Sequence, residues 1–218
     1  MRVMTYNIRH GQGEDGWVSN ARIARVIREA DADIVGVNEV WRLGRFFDQP
    51  ADLARRLALE SAFERNTGFA FYQQGNLVLT KGRVLEASNL TLPGKGERRG
   101  CLLVRVDMRG EEVVFGSAHL SLGRRTRALQ IEAFAEQLPR DVALVLSGDM
   151  NCGAEELAPL TSSFTFAETP PSYPAFWPRR ALDHIGLSEH WQLEEVRSVR
   201  SSASDHRPVI ADIVRRDR

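Results

Sequence analysis

The sequence is that of an α/β protein built from two packed sheets with helices outside. Helical hydrophobic patterns near both ends of the 218-residue chain, a strand-rich middle and the absence of any linker, low-complexity tract or short-period repeat predict this arrangement, in one domain over residues 1–218.

A first strand starts at Arg2, runs through Val3, Met4, Thr5 and Tyr6, and ends at Asn7. Residues 19–30 place Ile23, Val26 and Ile27 on one helical face with arginines opposite, and Ser19 can cap the first turn. The apolar run Ile34 to Val37 is a strand that ends at Glu39. A second helix fits residues 51–59 on the stripe Leu53, Leu57 and Ala58. Strands follow at 69–73, 76–80, 84–90, 101–107 and 113–119, the last ending at His119, with turn signals at Gly75, Pro93-Gly94, Gly96 and Gly110. A third helix fits residues 126–138, with Leu129, Ile131, Phe134 and Leu138 in line, and further strands fit 142–146, 182–187, 193–199 and 209–214. The stretch 161–180 has no periodicity, holds Pro170, Pro171, Pro174 and Pro178 with Tyr173, Phe176 and Trp177, and leads straight into Asp183. A loop of that length is often functional.

Composition bounds the function. Hydrophobic residues at 43% and charged residues at 27% exclude disordered and fibrous classes. Lys+Arg and Asp+Glu both number 29, so no net positive field draws the chain to nucleic acid, and such binding needs a local patch. Cys101 and Cys152 cannot staple a domain of this size and lack zinc-site spacing, so both are expected to be buried thiols. With a strand beginning at Arg2 there is no room for a leader segment, and no apolar run reaches the roughly 18 residues of a membrane span, so a cytoplasmic location is expected. Lys81 and Lys95 are the only lysines, a bias we attribute to coding composition.

Two segments carry most of the functional signal. Ser147-Gly148-Asp149-Met150-Asn151 follows the aliphatic run Val142 to Leu146, and Ser204-Asp205-His206-Arg207-Pro208 precedes the final strand. A strand broken at Gly148 delivers Asp149 and Asn151 to a sheet edge, and the period of two aims both the same way. Asn7, Glu39, His119 and Asp183 each end or begin another strand-like run, giving polar groups able to bind a metal, accept a proton or contact phosphate. Asn7 and Glu39 offer an amide oxygen and a carboxylate, a donor set suited to Mg²⁺ or Mn²⁺ rather than zinc.

With these residues in this order, the chain resembles the endonuclease/exonuclease/phosphatase superfamily from Arg2 to about Val214. The resemblance implies a four-layer α/β/β/α sandwich of mostly antiparallel sheets and a metal-dependent phosphoesterase. It implies that Glu39 binds the metal with support from Asn7 and Asp205, that Asp149 orients and deprotonates the attacking water beside Asn151, and that His206, held by Asp183, contacts the scissile phosphate. It places His119 as a second histidine at phosphate, and Asn76 and Arg99 near substrate. The chain departs from the common pattern in Val37-Asn38-Glu39 and in His184, which is expected to face away from the cleft because strand neighbours alternate.

Arginines cluster at Arg98-Arg99, at Arg124-Arg125 with Arg127, and at Arg179-Arg180, beside proposed site loops. They form either a phosphate-binding rim, with Arg124 at a helix start that favours anions, or solvated loop charges. Trp41, Phe46 and Phe47, and Tyr173, Phe176 and Trp177, either stack on substrate or anchor loops. A compact neutral chain favours a phosphodiesterase acting on a small phosphodiester, lipid head group or single-stranded nucleic acid over a duplex nuclease. A phosphomonoesterase and an inactive phospho-ligand or protein-binding module are the other readings, and one or two ions are compatible with these ligands.

Overall fold

The computed structural model describes residues 1–44, 46–69 and 71–216. Strand β1 (Arg2–Asn7) passes through a 3-10 turn (Arg9–Gly11) to α1 (Asn20–Ala30), β2 (Ile34–Leu43), the short β3 (Phe47–Asp48) and α2 (Gln49–Leu57). Five strands follow: β4 (Glu60–Phe69), β5 (Tyr72–Thr80), β6 (Arg83–Leu92), β7 (Arg99–Met108) and β8 (Glu111–His119). Then come α3 (Arg124–Gln137), β9 (Leu144–Asp149), a 3-10 segment (Ala154–Leu160), β10 (Thr165–Phe166), β11 (Asp183–Leu187), β12 (Trp191–Ser198) and β13 (Val209–Arg215).

One sheet has the order β12-β13-β1-β2-β5-β4, with β3 paired to β2, and the other has the order β10-β11-β9-β8-β7-β6. Each holds one parallel pair near its centre, β1 with β2 and β8 with β9, among antiparallel neighbours. Val3, Ile34, Val78 and Val209 of the first sheet meet Leu102, Phe115, Val145 and Ile185 of the second in the middle layer. Burial of side chains of this kind stabilises by about 1.5–3 kcal/mol each. The outer face of the first sheet is covered by Ile23 and Ile27 of α1 and Leu53 of α2, and that of the second by Ile131 and Phe134 of α3 with Leu157 and Leu160. The fold is therefore the expected four-layer α/β/β/α sandwich. No helix among the described residues is long and apolar enough to cross a membrane.

Local signals worked where chemistry is local. Ser19 Oγ accepts from Arg22 N at 3.3 Å, the cap expected for α1. Helix α2 starts earlier than its apolar stripe, because Asp48 Oδ1 accepts from Ala51 N at 3.0 Å and Pro50 fits the first turn. Strand β4 escaped the sequence reading: it is an edge strand whose Glu60, Glu64 and Arg65 break the apolar alternation. The two-residue strands β3 and β10 were also missed, being too short to show a period. The strand expected at 69–73 is a hairpin instead, with Phe69 closing β4 and Tyr72 opening β5; Ala70 lies outside the described residues. Gly75, read as a turn, lies within β5 opposite a bulge, where a Cβ would stand 1.9 Å from Glu64 O.

In α3 the expected alignment of Leu129 with Ile131 fails, since two residues turn a helix by about 200°. Leu129 is exposed, and the buried face is Arg127, Gln130, Ile131 and Phe134. Arg127 and Gln130 turn inward because polar partners await them: Glu156 takes Arg127 Nη2 at 2.8 Å, and Gln130 Nε2 donates to Pro93 O at 3.0 Å.

Gly148 is where backbone approach sets the site. Its φ is +146° and an added Cβ would lie 1.9 Å from Ala118 O. We expect Gly148→Ala to lower unfolding stability by about 3 kcal/mol, read by urea denaturation. A loss below about 1 kcal/mol would mean that β8 and β9 can separate freely.

Candidate active site

β1 and β2 run parallel, as do β8 and β9, and the 2.9 Å bond between Asn7 at the end of β1 and Asp149 at the end of β9 brings the two pairs to the same edge of the sandwich. Asn7 ends β1, His119 ends β8 and Asp149 ends β9, with His119 and Asp149 register partners. The antiparallel β11 begins at that edge, so Asp183 pairs with Asp149. The turn before β13 brings Asp205 and His206 to the same place, tied down where Ala175 N donates to Asp205 O at 2.7 Å and Arg207 N to Ser172 O at 2.8 Å. The long proline-rich loop thus clamps the His206 turn. A cavity of about 510 Å³ bounded by Met1, Lys81, Asp107 and Trp191 lies at the other end of the sheets and contains none of these residues.

Asp149 is the hub. Its Oδ1 accepts from Asn151 N at 3.0 Å and its Oδ2 from Asn7 Nδ2 at 2.9 Å. His119 Nε2 and His206 Nε2 face the same Oδ2 at 3.6 and 3.8 Å, too far for direct hydrogen bonds. Burial, and then the charge of Asp183, push the Asp149 pKa up to about 7. Asn151 joins by a route other than strand alternation: β9 stops at Asp149, Asn151 adopts φ +54°, and its Nδ2 donates to Leu120 O at 2.9 Å.

His206 Nδ1 donates to Asp183 Oδ2 at 2.8 Å, and Ser172 Oγ donates to the same oxygen at 2.6 Å. Tyr173 packs on the imidazole with ring centroids 4.8 Å apart. Burial would lower the His206 pKa, but the charge and hydrogen bond of Asp183, with Asp149 and Asp205 beyond, raise it to about 10. That rise favours the imidazolium form, and Nε2 faces Asp149 Oδ2. Ligand atoms of Asp149, Asp183 and His206 lie within 4.8 Å of one another, a spacing that could hold a metal.

His119 has the opposite character. Arg99 Nη1, which can only donate, lies 2.7 Å from His119 Nδ1, so Nδ1 accepts and a neutral ring carries its proton on Nε2. Burial and then Arg99 hold its pKa well below the ordinary imidazole value. Arg99 is itself buried and pairs with Glu97 Oε2 at 2.9 Å. Asn76 does not present its amide to the cleft: both N–H groups are spent on Gly100 O at 2.9 Å and Ser117 O at 3.0 Å. Arg124 is exposed at the start of α3. His184, as expected, faces away, with Nε2 2.8 Å from Cys152 O.

Glu39 does not end its strand. It sits in a bulge of β2 between Val37 and Val40, at φ +57°, an unusual conformation for a non-glycine residue. Its Oε1 accepts from Asn7 Nδ2 at 3.1 Å. The Asn7 amide bridges Glu39 and Asp149 through N–H, while Oδ1 is turned to Arg9 N at 3.0 Å. In this orientation Asn7 positions two carboxylates through its N–H groups. Asp205 Oδ2 lies 3.7 Å from Arg9 Nε, and Glu39 and Asp205 are both partly exposed at the cleft. Two carboxylates without a short ion pair suit a divalent cation.

Two residues at this centre were not among the expected site residues. His10 stacks on Trp41 with centroids 3.8 Å apart and lies beside Glu39. Asn38 is fully buried: its Oδ1 accepts from Asp149 N at 3.0 Å, and its Nδ2 donates to Asn76 Oδ1 at 3.0 Å and Ala118 O at 2.9 Å. The departure Val37-Asn38-Glu39 was the only sequence signal for Asn38. Asn38→Ala should cost about 2–3 kcal/mol by leaving buried groups unpaired, measured by thermal or urea unfolding. A neutral result would mean that water takes over its bonds.

A four-layer sandwich with carboxylates and imidazoles at one edge of its sheets is the class of protein defined so far. The profile of the Endonuclease/Exonuclease/phosphatase family matches residues 4–206, and the chain belongs to that family. Family members include phosphatases, nucleases and phosphodiesterases. Among solved structures, an endonuclease/exonuclease/phosphatase from Beutenbergia cavernae is similar over 99% of this chain and 71% of its own, with TM-score 0.86 and 24% identity. The mannosyl-6-phosphatase Bt3783 of Bacteroides thetaiotaomicron matches at TM-score 0.77 and 18% identity, covering 98% of this chain and 99% of its own. The human Nocturnin catalytic domain, with bound sulfate, matches at TM-score 0.80 and 19% identity over 99% and 93%. At these identities the likeness speaks for the fold. Comparison with curated proteins gives no match.

Proposed function

We propose that this protein is a divalent-metal-dependent phosphodiesterase. The observation that carries the reading is the convergence of Asn7 Nδ2, His119 Nε2 and His206 Nε2 on one oxygen of Asp149, at 2.9, 3.6 and 3.8 Å. The two longer gaps leave room for a water or a phosphoryl oxygen between base and imidazoles. Asp149, with its raised pKa, takes the proton of the attacking water. His206, kept protonated by Asp183, donates from Nε2 to a non-bridging phosphoryl oxygen, and neutral His119, oriented by Arg99, offers a second N–H. Glu39 and Asp205 would hold Mg²⁺ or Mn²⁺, with Asn7 fixing the Glu39 carboxylate. When bound, such an ion neutralises charge on the phosphoryl and leaving oxygens.

The arginines argue for a small or single-stranded substrate. Arg127 is closed by Glu156, Arg99 by Glu97 and His119, and Arg105 by Glu86 and Glu112. With zero net charge and these three arginines neutralised, no overall positive field draws in a duplex backbone.

The test is hydrolysis of bis(p-nitrophenyl) phosphate, p-nitrophenyl phosphate and supercoiled plasmid in Mg²⁺ or Mn²⁺, with EDTA and Asp149→Asn controls. We expect metal-dependent turnover of the diester at least about tenfold above the monoester, with closed plasmid left intact. Faster release from the monoester would make the protein a phosphatase, and metal-dependent nicking lost in both controls would make it a nuclease. Inactivity on all three substrates by folded protein would favour a binding module.

A further inference from the structure

We infer that His10 is a nitrogen ligand to the divalent ion at Glu39, so that the site selects Mn²⁺ or another transition metal over Mg²⁺. The inference rests on the metal-dependent reading above and gives the ion its chemical identity.

The tautomer of His10 follows from its hydrogen bond. Nδ1 lies 3.1 Å from Glu39 O, and a carbonyl can only accept, so Nδ1 carries a proton. In the neutral ring Nε2 is then a bare lone pair. It faces Glu39 Oε2 at 3.5 Å, one acceptor opposite another. A positive charge must lie between such a pair, either a proton on Nε2 or a metal ion, and two ligand atoms about 3.0–3.5 Å apart can both stand about 2.1 Å from one ion.

The surroundings hold the ring in this pose. His10 and Arg9 adopt φ +57° and +43°, placing the imidazole over Trp41 at 3.8 Å. Gln49 Nε2 donates to His10 O at 3.0 Å and Gln49 Oε1 accepts from Trp41 N at 3.0 Å, joining the two ends of the stack. Glu39 itself is held in the bulge at positive φ, so neither partner is a loose surface side chain. Both are about a fifth exposed, which leaves the space between them reachable from solvent. Mg²⁺ is bound through oxygen and is reluctant to shed water, whereas an imidazole strengthens binding of Mn²⁺ and later transition metals.

The experiment loads the full chain with Mn²⁺ and reads pulsed EPR for nitrogen modulation, beside calorimetric isotherms for Mn²⁺ and Mg²⁺, in wild type and in His10→Phe, which keeps the stack on Trp41. His10→Ala serves should the larger ring not fit. We expect nitrogen modulation in wild type and none in the variant, with Mn²⁺ affinity falling about 10- to 100-fold and Mg²⁺ affinity unchanged within about threefold. Modulation that survives the substitution, or Mn²⁺ and Mg²⁺ affinities that fall together, would overturn the inference. Mn²⁺ that binds wild type and is lost in Glu39→Gln, but gives no nitrogen signal, would overturn His10 ligation while leaving the metal-dependent reading intact. Absence of Mn²⁺ binding to wild type would overturn both.

Discussion

Asp149→Asn is expected to lower kcat by about 10²- to 10⁴-fold while the protein stays folded, because the water loses its base and the side-chain volume hardly changes. The carboxamide can still accept from Asn151 N, which now bonds Oδ1 at 3.0 Å. Opposite Asn7 Nδ2 it would present either an oxygen or a competing donor, a conflict worth about 1 kcal/mol. Stability should change with pH in a defined sense. The folded pKa is raised to about 7 from 3.8, so the folded state holds this proton longer than the unfolded chain does. Wild type therefore loses stability as pH rises from about 4 through about 7, and Asp149→Asn does not. Melting temperatures of the two proteins, in EDTA, should diverge in the variant's favour over that window. Near-normal diester hydrolysis by the variant would move the base elsewhere, whatever the melting curves show.

His206→Ala should cost a comparable 10²- to 10⁴-fold in kcat/KM, and it should also destabilise. Asp183 is fully buried, and its Oδ1 has no hydrogen-bond partner among the described residues. Without the imidazolium its charge is compensated by Ser172 alone, a situation that costs about 3–5 kcal/mol. The conservative Asp183→Asn separates the two effects. Asp183 is the largest of the charges that lift His206, so its loss lets burial pull that pKa down against Asp149 and Asp205 alone, and the same change removes the repulsion that adds to burial in raising Asp149. The wild-type kcat/KM profile should rise as Asp149 ionises near 7 and fall as His206 loses its proton near 10, the two limbs belonging to the coupled group. Both limbs should move to lower pH in Asp183→Asn. A profile with no alkaline limb in wild type, or one unmoved in the variant, would make His206 a structural residue.

The sequence by itself determined the frame. Aliphatic runs ending at Asn7, His119 and Asp149 and beginning at Asp183 are readable because a buried strand must be apolar until it emerges, and what emerges is polar. The same locality made α1 and its Ser19 cap legible. Edge strand β4 and the two-residue strands were not, since a charged or very short segment carries no period. Tertiary structure alone decided how the polar groups are used. It turned the Asn7 amide toward carboxylates 32 and 142 residues away, closed Asn76 on backbone carbonyls, paired Arg127 with Glu156, and set His10 over Trp41 beside a bulged Glu39. These outcomes depend on which atoms meet across distant stretches of chain. A hydrogen bond is specified by a pair of atoms, and periodicity along one strand specifies only which face a side chain takes.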